Sequence, residues 1–366
     1  MTEIETKTER LTKMLTDEKF GGVLLNAQHN FAWLSGKSNA INLSIENGAC
    51  FLFVRRDGKK FILANNIEMT RVLTEEISAA DFEPIEFAWQ TEKASGDFIF
   101  ETAKTLSNET GEIVSDLSIT PKIRAIEGKI APLRFSLVMA EIERYRSLGK
   151  DAGTAIGKVF ERIETGETEI EIARKVKDTL AAFDIQSVVT LVGADERIEK
   201  FRHPIPTVNV WKKVLLIAVC ARRGGLIANL SRIACVGEIP SSLKCKTESV
   251  AKVFARMISA TTIGKSGAEI YKTTAEAYTE EGFESEIDKH HQGGATGYKT
   301  RDWVAHPACA DTVFPNQAFA WNPTITGTKA EETIIGTEIL TTSPDFPMIS
   351  VEIEGIEYRS PDILKL

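Results

Sequence analysis

Two stretches of the chain, about a hundred residues apart, spell the same local structure. The first reads as an amphipathic helix from Glu141 to about Ile163, breaks at Gly166 and restarts at Thr168-Glu169-Ile170-Glu171, with Thr168 placed to cap the new helix. The second passes through Ile258-Ser259-Ala260, breaks at Gly264 and restarts at Gly267-Ala268-Glu269-Ile270. A repeat of helix, glycine turn and helix implies two pseudo-symmetric α/β halves, with room for a site where they meet.

The first third of the chain has a different rhythm. Leu11, Met14 and Leu15 share one face of a helix predicted over Glu5 to Lys19. Gly22-Val23-Leu24-Leu25 reads as a buried strand, and Ala49 to Val54 and Phe61 to Ala64 flank the turn Arg55-Arg56-Asp57-Gly58 as a hairpin. A further helix is predicted from Glu68 to Glu76. The pattern changes around Gly128, Pro132 and Leu133, so the expected division is an α/β domain over residues 1–130 and a second domain over 131–366. The fold class is α/β in the broad sense that includes α+β.

Composition narrows the function. The net charge is −8 without clustered Lys and Arg, which argues against nucleic acid as a partner. No run nears the roughly 18 apolar residues a membrane span requires. The opening Met1-Thr2-Glu3-Ile4-Glu5 is acidic where a secretory signal would be basic. The five cysteines are odd in number and form no CxxC pair, as expected of reduced thiols in a cytoplasmic protein. Cys220 stands two residues from Ala218, and a buried structural thiol is the plainer reading of it.

The second domain carries an ordered set of segments: His203-Pro204, Val214 to Ala221, Gly225 to Arg232, His290-His291-Gln292-Gly293-Gly294, Trp321-Asn322-Pro323, and Gly327 to Thr333. This order resembles the C-terminal domain shared by methionine aminopeptidase, prolidase, aminopeptidase P and creatinase, the pita-bread fold. Asn30-Phe31-Ala32-Trp33-Leu34-Ser35-Gly36 resembles a signature of the creatinase N-terminal domain. The resemblance implies an N-terminal creatinase-like domain followed by a pita-bread domain.

In the peptidases of that family, two Asp, one His and two Glu hold a pair of divalent metals. The matching positions here are Ala218, Asn229, His291, Asn322 and Glu331, so three carboxylates are replaced by groups without charge. Two hard divalent ions need anionic oxygen ligands. The expectation is therefore no bound metal and no cofactor. Creatinase, which by resemblance keeps the fold without metals, makes His203 the proton-transfer group and Glu331 the group that binds substrate. An imidazole with an ordinary pKa of about 6.5 suits that task. His291 would stabilise developing charge. Asn229, Asn322, Tyr298, Arg301 and His290 are the candidate substrate-binding residues, although adjacent His290 and His291 would point to opposite faces on a strand. The glycines after them would let backbone and substrate approach closely. A Glu331 without its metal needs another cation, for which Lys329, Arg301 and Arg232 are candidates.

Three functions compete. A metal-independent hydrolase of a C–N bond in a small polar substrate leads. An Xaa-Pro aminopeptidase or dipeptidase dependent on metal follows. The third is a non-catalytic peptide-binding member of the fold. The expected partners are a small molecule or short peptide and, by resemblance, a second copy of the chain in a homodimer.

Overall fold

The computed structural model describes residues 1–38, 40–107 and 110–366, in two compact units, Met1–Arg134 and Phe135–Leu366.

The first unit is built on a six-stranded mixed sheet. Its strands run, edge to edge, Glu83–Phe87, Lys60–Asn65, Asn47–Arg55, Phe20–Ala27, Glu112–Ser115 and Arg124–Ala125. The hairpin pairs Phe53 with Phe61, and the Phe20–Ala27 strand is buried along its whole length. One face packs Leu24, Phe53, Phe61 and Leu63 against Ile99 and Ala103 of the helix Phe98–Leu106. The N-terminal helix Glu3–Asp17 begins in a capping box between Thr2 and Glu5. The Asn30 motif acts here as a structural lock. Asn30 is fully buried, donates to Asp116 at 3.0 Å and to Glu127 at 2.7 Å, and accepts from Arg134. Gly36 ends the short helix Gln28–Ser35 at a φ of 71°, a conformation glycine adopts without strain. The helix expected from Glu68 to Glu76 is instead one α turn, Met69–Arg71, widened into a π turn over Val72–Glu76. Arg71 clasps both Glu68 and Glu76 across that widened turn.

The second unit contains the two halves. In the first, the helices Met139–Phe160 and Glu169–Ala181 accompany a sheet ordered Ile363–Lys365, Leu226–Cys235, Val214–Arg223 and Gln186–Ala194. In the second, the helices Ser241–Ala260 and Gly267–Glu280 accompany a sheet ordered Trp303–Val304, Gly293–Thr296, Ala318–Trp321, Glu332–Ile335 and Glu338–Ile339. The echo seen in the sequence is a pair of matching capping boxes, Thr168 with Glu171 and Ser266 with Glu269. The two sheets meet where Ser231 N donates to Glu331 O at 3.0 Å and Asn229 N donates to Thr333 Oγ1 at 2.7 Å. Among the described residues no helix is long and apolar enough to cross a membrane.

Candidate active site

The bridge at Ser231 and Glu331 marks where the candidate residues gather. On the strand pair Val214–Arg223 and Leu226–Cys235, Ala218 lies opposite Ser231 and Cys220 opposite Asn229, so these four positions share one face. In the other sheet Trp321 pairs with Glu332, which makes Asn322 and Glu331 neighbours at the end of that ladder. Asn322 N donates to Gln292 O, and this ties the ladder end to the segment carrying His291.

A cavity of about 380 Å³ opens there. Its lining includes His203, Ala218, Cys220, His291, Arg301, Asn322, Lys329 and Glu331, with an apolar wall of Val189, Leu191 and Ile205. The wall was not among the site residues expected from sequence, and Lys329 was expected only as a candidate cation for Glu331. The alternation of Val189 and Leu191 on a half-exposed strand was the available signal. Three expected residues lie outside this lining, Tyr298, Asn229 and His290, the last with its Nε2 3.2 Å from His203 Nε2. Tyr298 is buried and its hydroxyl donates to Glu141 at 2.7 Å, beneath the sheet rather than into the cavity. Asn229 is wholly buried on the face it shares with Ala218 and Cys220, donating to Thr296 at 3.2 Å instead of lining the cavity. The Oδ1 atoms of Asn229 and Asn322 are buried without a partner among the described residues.

Glu331 is the single carboxylate in the lining. Lys329 Nζ lies 2.9 Å from it and an Arg301 guanidinium nitrogen 3.2 Å. Burial pushes this carboxyl up, but Lys329 and Arg301 outweigh it and hold it below the ordinary range. Arg232 takes no part, because it pairs with Glu332 at 2.8 Å with both side chains fully buried. That neighbour is pushed up to about 7 by burial, against the pull of Arg232.

His203 is set by its neighbours in the chain. Arg202 reaches Glu286 at 3.0 Å and Thr326 at 2.6 Å, while Pro204 packs where Gly193 has no side chain. His290 and His291 follow the 3-10 turn Glu284–Lys289 and precede the strand Gly293–Thr296, so they sit in irregular backbone. The strand expectation of opposite faces fails for that reason. Their rings stack at 4.4 Å, and His290 Nε2 lies 3.2 Å from His203 Nε2. Burial lowers the pKa of all three, helped at His203 and His290 by Lys329 and at His291 by Arg301. His290 falls to about 2 and His291 to about 4, so both are neutral at pH 7. The glycines after them serve the sheet and not a substrate: a Cβ on Gly293 would stand 2.1 Å from Ala320 O, and one on Gly294 2.0 Å from Trp303 O. Burial, with Glu331 adding to it, pushes the Cys220 thiol up to about 12, which removes it as a nucleophile.

Comparison with known proteins agrees with this architecture. Residues 143–354 match the model of metallopeptidase family M24, and residues 7–144 match the creatinase/prolidase N-terminal domain. The chain belongs to family M24 and has its pita-bread fold, which makes it a C–N bond hydrolase by class. Solved structures similar to it include an Xaa-Pro dipeptidase from Bacillus anthracis, at 17% identity and a TM-score of 0.75, covering 99% of this chain and 100% of that one. An X-Pro aminopeptidase from Thermotoga maritima matches at 17% identity and 0.75, covering 98% and 99%. The N-terminal domain of the FACT complex subunit SPT16 from chickpea, Cicer arietinum, matches at 11% identity and 0.68, covering 93% and 96%. No curated protein matches the chain in sequence.

Proposed function

We propose that the chain hydrolyses the C–N bond of a short peptide or peptide-like substrate bearing a free carboxylate, without the dinuclear centre of its family. The family match and the dipeptidase relatives support short-peptide chemistry over other small polar substrates with a C–N bond. The observation that carries the reading is the triad of Lys329, Arg301 and Glu331. Five family positions offer two groups able to ligate as the family does, His291 and Glu331, and Glu331 is already saturated by two cations. That donor set does not fit two divalent ions, which need several anionic oxygens. With neutral imidazoles around it, the triad leaves one positive charge facing the cavity. A substrate carboxylate satisfies that charge.

His203 and His291 line the same cavity and define where the bond is cut. His203, the least depressed of the depressed imidazoles, handles the proton, and Asn322 Oδ1 accepts a substrate N–H. Val189, Leu191 and Ile205 receive an apolar side chain. The test is His203→Ala assayed on dipeptides and N-acyl amino acids. The expected outcome is a kcat lower by roughly 10²–10⁴-fold with the melting temperature unchanged. An unchanged kcat removes His203 from the reaction.

A further inference from the structure

We propose that His203, His290 and His291 form a binding site for one divalent transition-metal ion of the zinc class, distinct in its donors from the carboxylate-rich pair of the family. Each residue has a ring nitrogen within 4.8 Å of one on the other two. The closest pair, Nε2 of His203 and Nε2 of His290, are 3.2 Å apart. Ligands at zinc–nitrogen distances of about 2.0–2.1 Å stand about 3.3–3.4 Å apart around a tetrahedron. The two rings already meet that spacing, and a ring nitrogen of His291 lies within 4.8 Å of both as the third donor.

His290 also keeps a ring nitrogen that the described residues leave unused. His290 is 9% exposed, and its Nδ1 has no partner among the described residues. A neutral imidazole with one nitrogen against another imidazole and the other buried and bare is incompletely satisfied. A cation held through Nε2 of both rings would take the place of their 3.2 Å hydrogen bond. The ligand type selects the class: imidazoles favour zinc, copper, nickel and iron over magnesium or calcium. His203 and His291 line the cavity, so the fourth position is open to water or substrate, as in catalytic rather than structural sites. Lys329 and Arg301 oppose a cation nearby, but Glu331 offsets one of those two charges.

The inference concerns what the imidazoles hold: with an ion on its Nε2, His203 is a ligand, and the proton transfer proposed above belongs to the metal-free chain. The full chain is stripped with a chelator, dialysed, reloaded with Zn²⁺ or Co²⁺, and its metal content and cobalt visible spectrum are measured. The expected result is one equivalent with the intense bands of tetrahedral cobalt. His290→Gln, which keeps the size of the side chain, should weaken binding by about 100-fold or more. Glu331→Gln should still take up one equivalent. Zinc below a tenth of an equivalent, two equivalents, or an ion lost in Glu331→Gln but kept in His290→Gln each overturns the proposal. Peptide hydrolysis by metal-stripped protein that takes up no metal would sink the site while leaving the hydrolase reading intact.

Discussion

Lys329 Nζ lies 2.9 Å from a carboxylate oxygen of Glu331, and neither side chain exposes more than 7% of its surface. A buried carboxylate must be matched by positive charge or take up a proton. In a two-metal site the ions supply that match. Here a lysine and an arginine supply it, so the site keeps its glutamate while the sign of its free charge is reversed.

Breaking that arrangement from one side should be costly. Glu331→Gln leaves two cations in the cavity wall without their carboxylate and should lower unfolding free energy by about 3 kcal/mol. Adding Lys329→Met to it should restore part of the loss, because one of the stranded charges goes too. Denaturant unfolding of the two single variants and the double variant measures the coupling. Strict additivity contradicts the ion-pair account.

Acid should weaken the fold through the histidines. His290 and His291 are held to about 2 and about 4 in the folded protein, against about 6.5 in the unfolded chain. Below about 6.5 the unfolded state therefore binds more protons, and stability falls as pH falls, down to about 4 for His291 and further for His290. A ring excluded from protonation costs about 1.4 kcal/mol per pH unit over that window, and the more exposed His291 contributes less. His290→Gln should flatten the stability profile between about pH 6 and about pH 5. An identical slope in the variant contradicts the assignment.

The matched caps offer a test of the two halves. Thr168→Ala and Ser266→Ala each remove an oxygen that accepts from a backbone N–H, and each should cost about 1 kcal/mol. The effects should add, since the caps share no partner. Urea melts of the two variants and their combination check this.

What the sequence disclosed follows from the range of the forces involved. The Thr168 cap was legible because a capping box is complete within four residues, a signal that Ser266 and Glu269 also carry. The hairpin around Asp57-Gly58 was legible for the same reason, and so was the strand pair bearing Ala218 and Asn229. Glu331's need for a cation was also legible, since burial of a carboxylate sets that need wherever the cation comes from. The convergence of His290 with His291 was hidden, because it depends on irregular backbone between a 3-10 turn and a strand. Tyr298 lies beside the glycine motif in sequence, yet its hydroxyl is claimed by Glu141, 157 residues away along the chain. The π turn at Val72–Glu76 is set by Arg71 bridging two glutamates, a detail no helical periodicity records.

The account stands most directly on substrate charge. Initial hydrolysis rates should be compared for a panel of dipeptides, Xaa-Pro members included, and N-acyl amino acids, each as the free acid and as its C-terminal amide. With one positive charge in the cavity at Lys329 and Arg301, the free acids should be cleaved with kcat/KM at least about 10-fold above their amides, the value of a single charge-assisted contact. Arg301→Gln should erase that preference. Equal rates for acid and amide, or no cleavage anywhere in the panel, would contradict it.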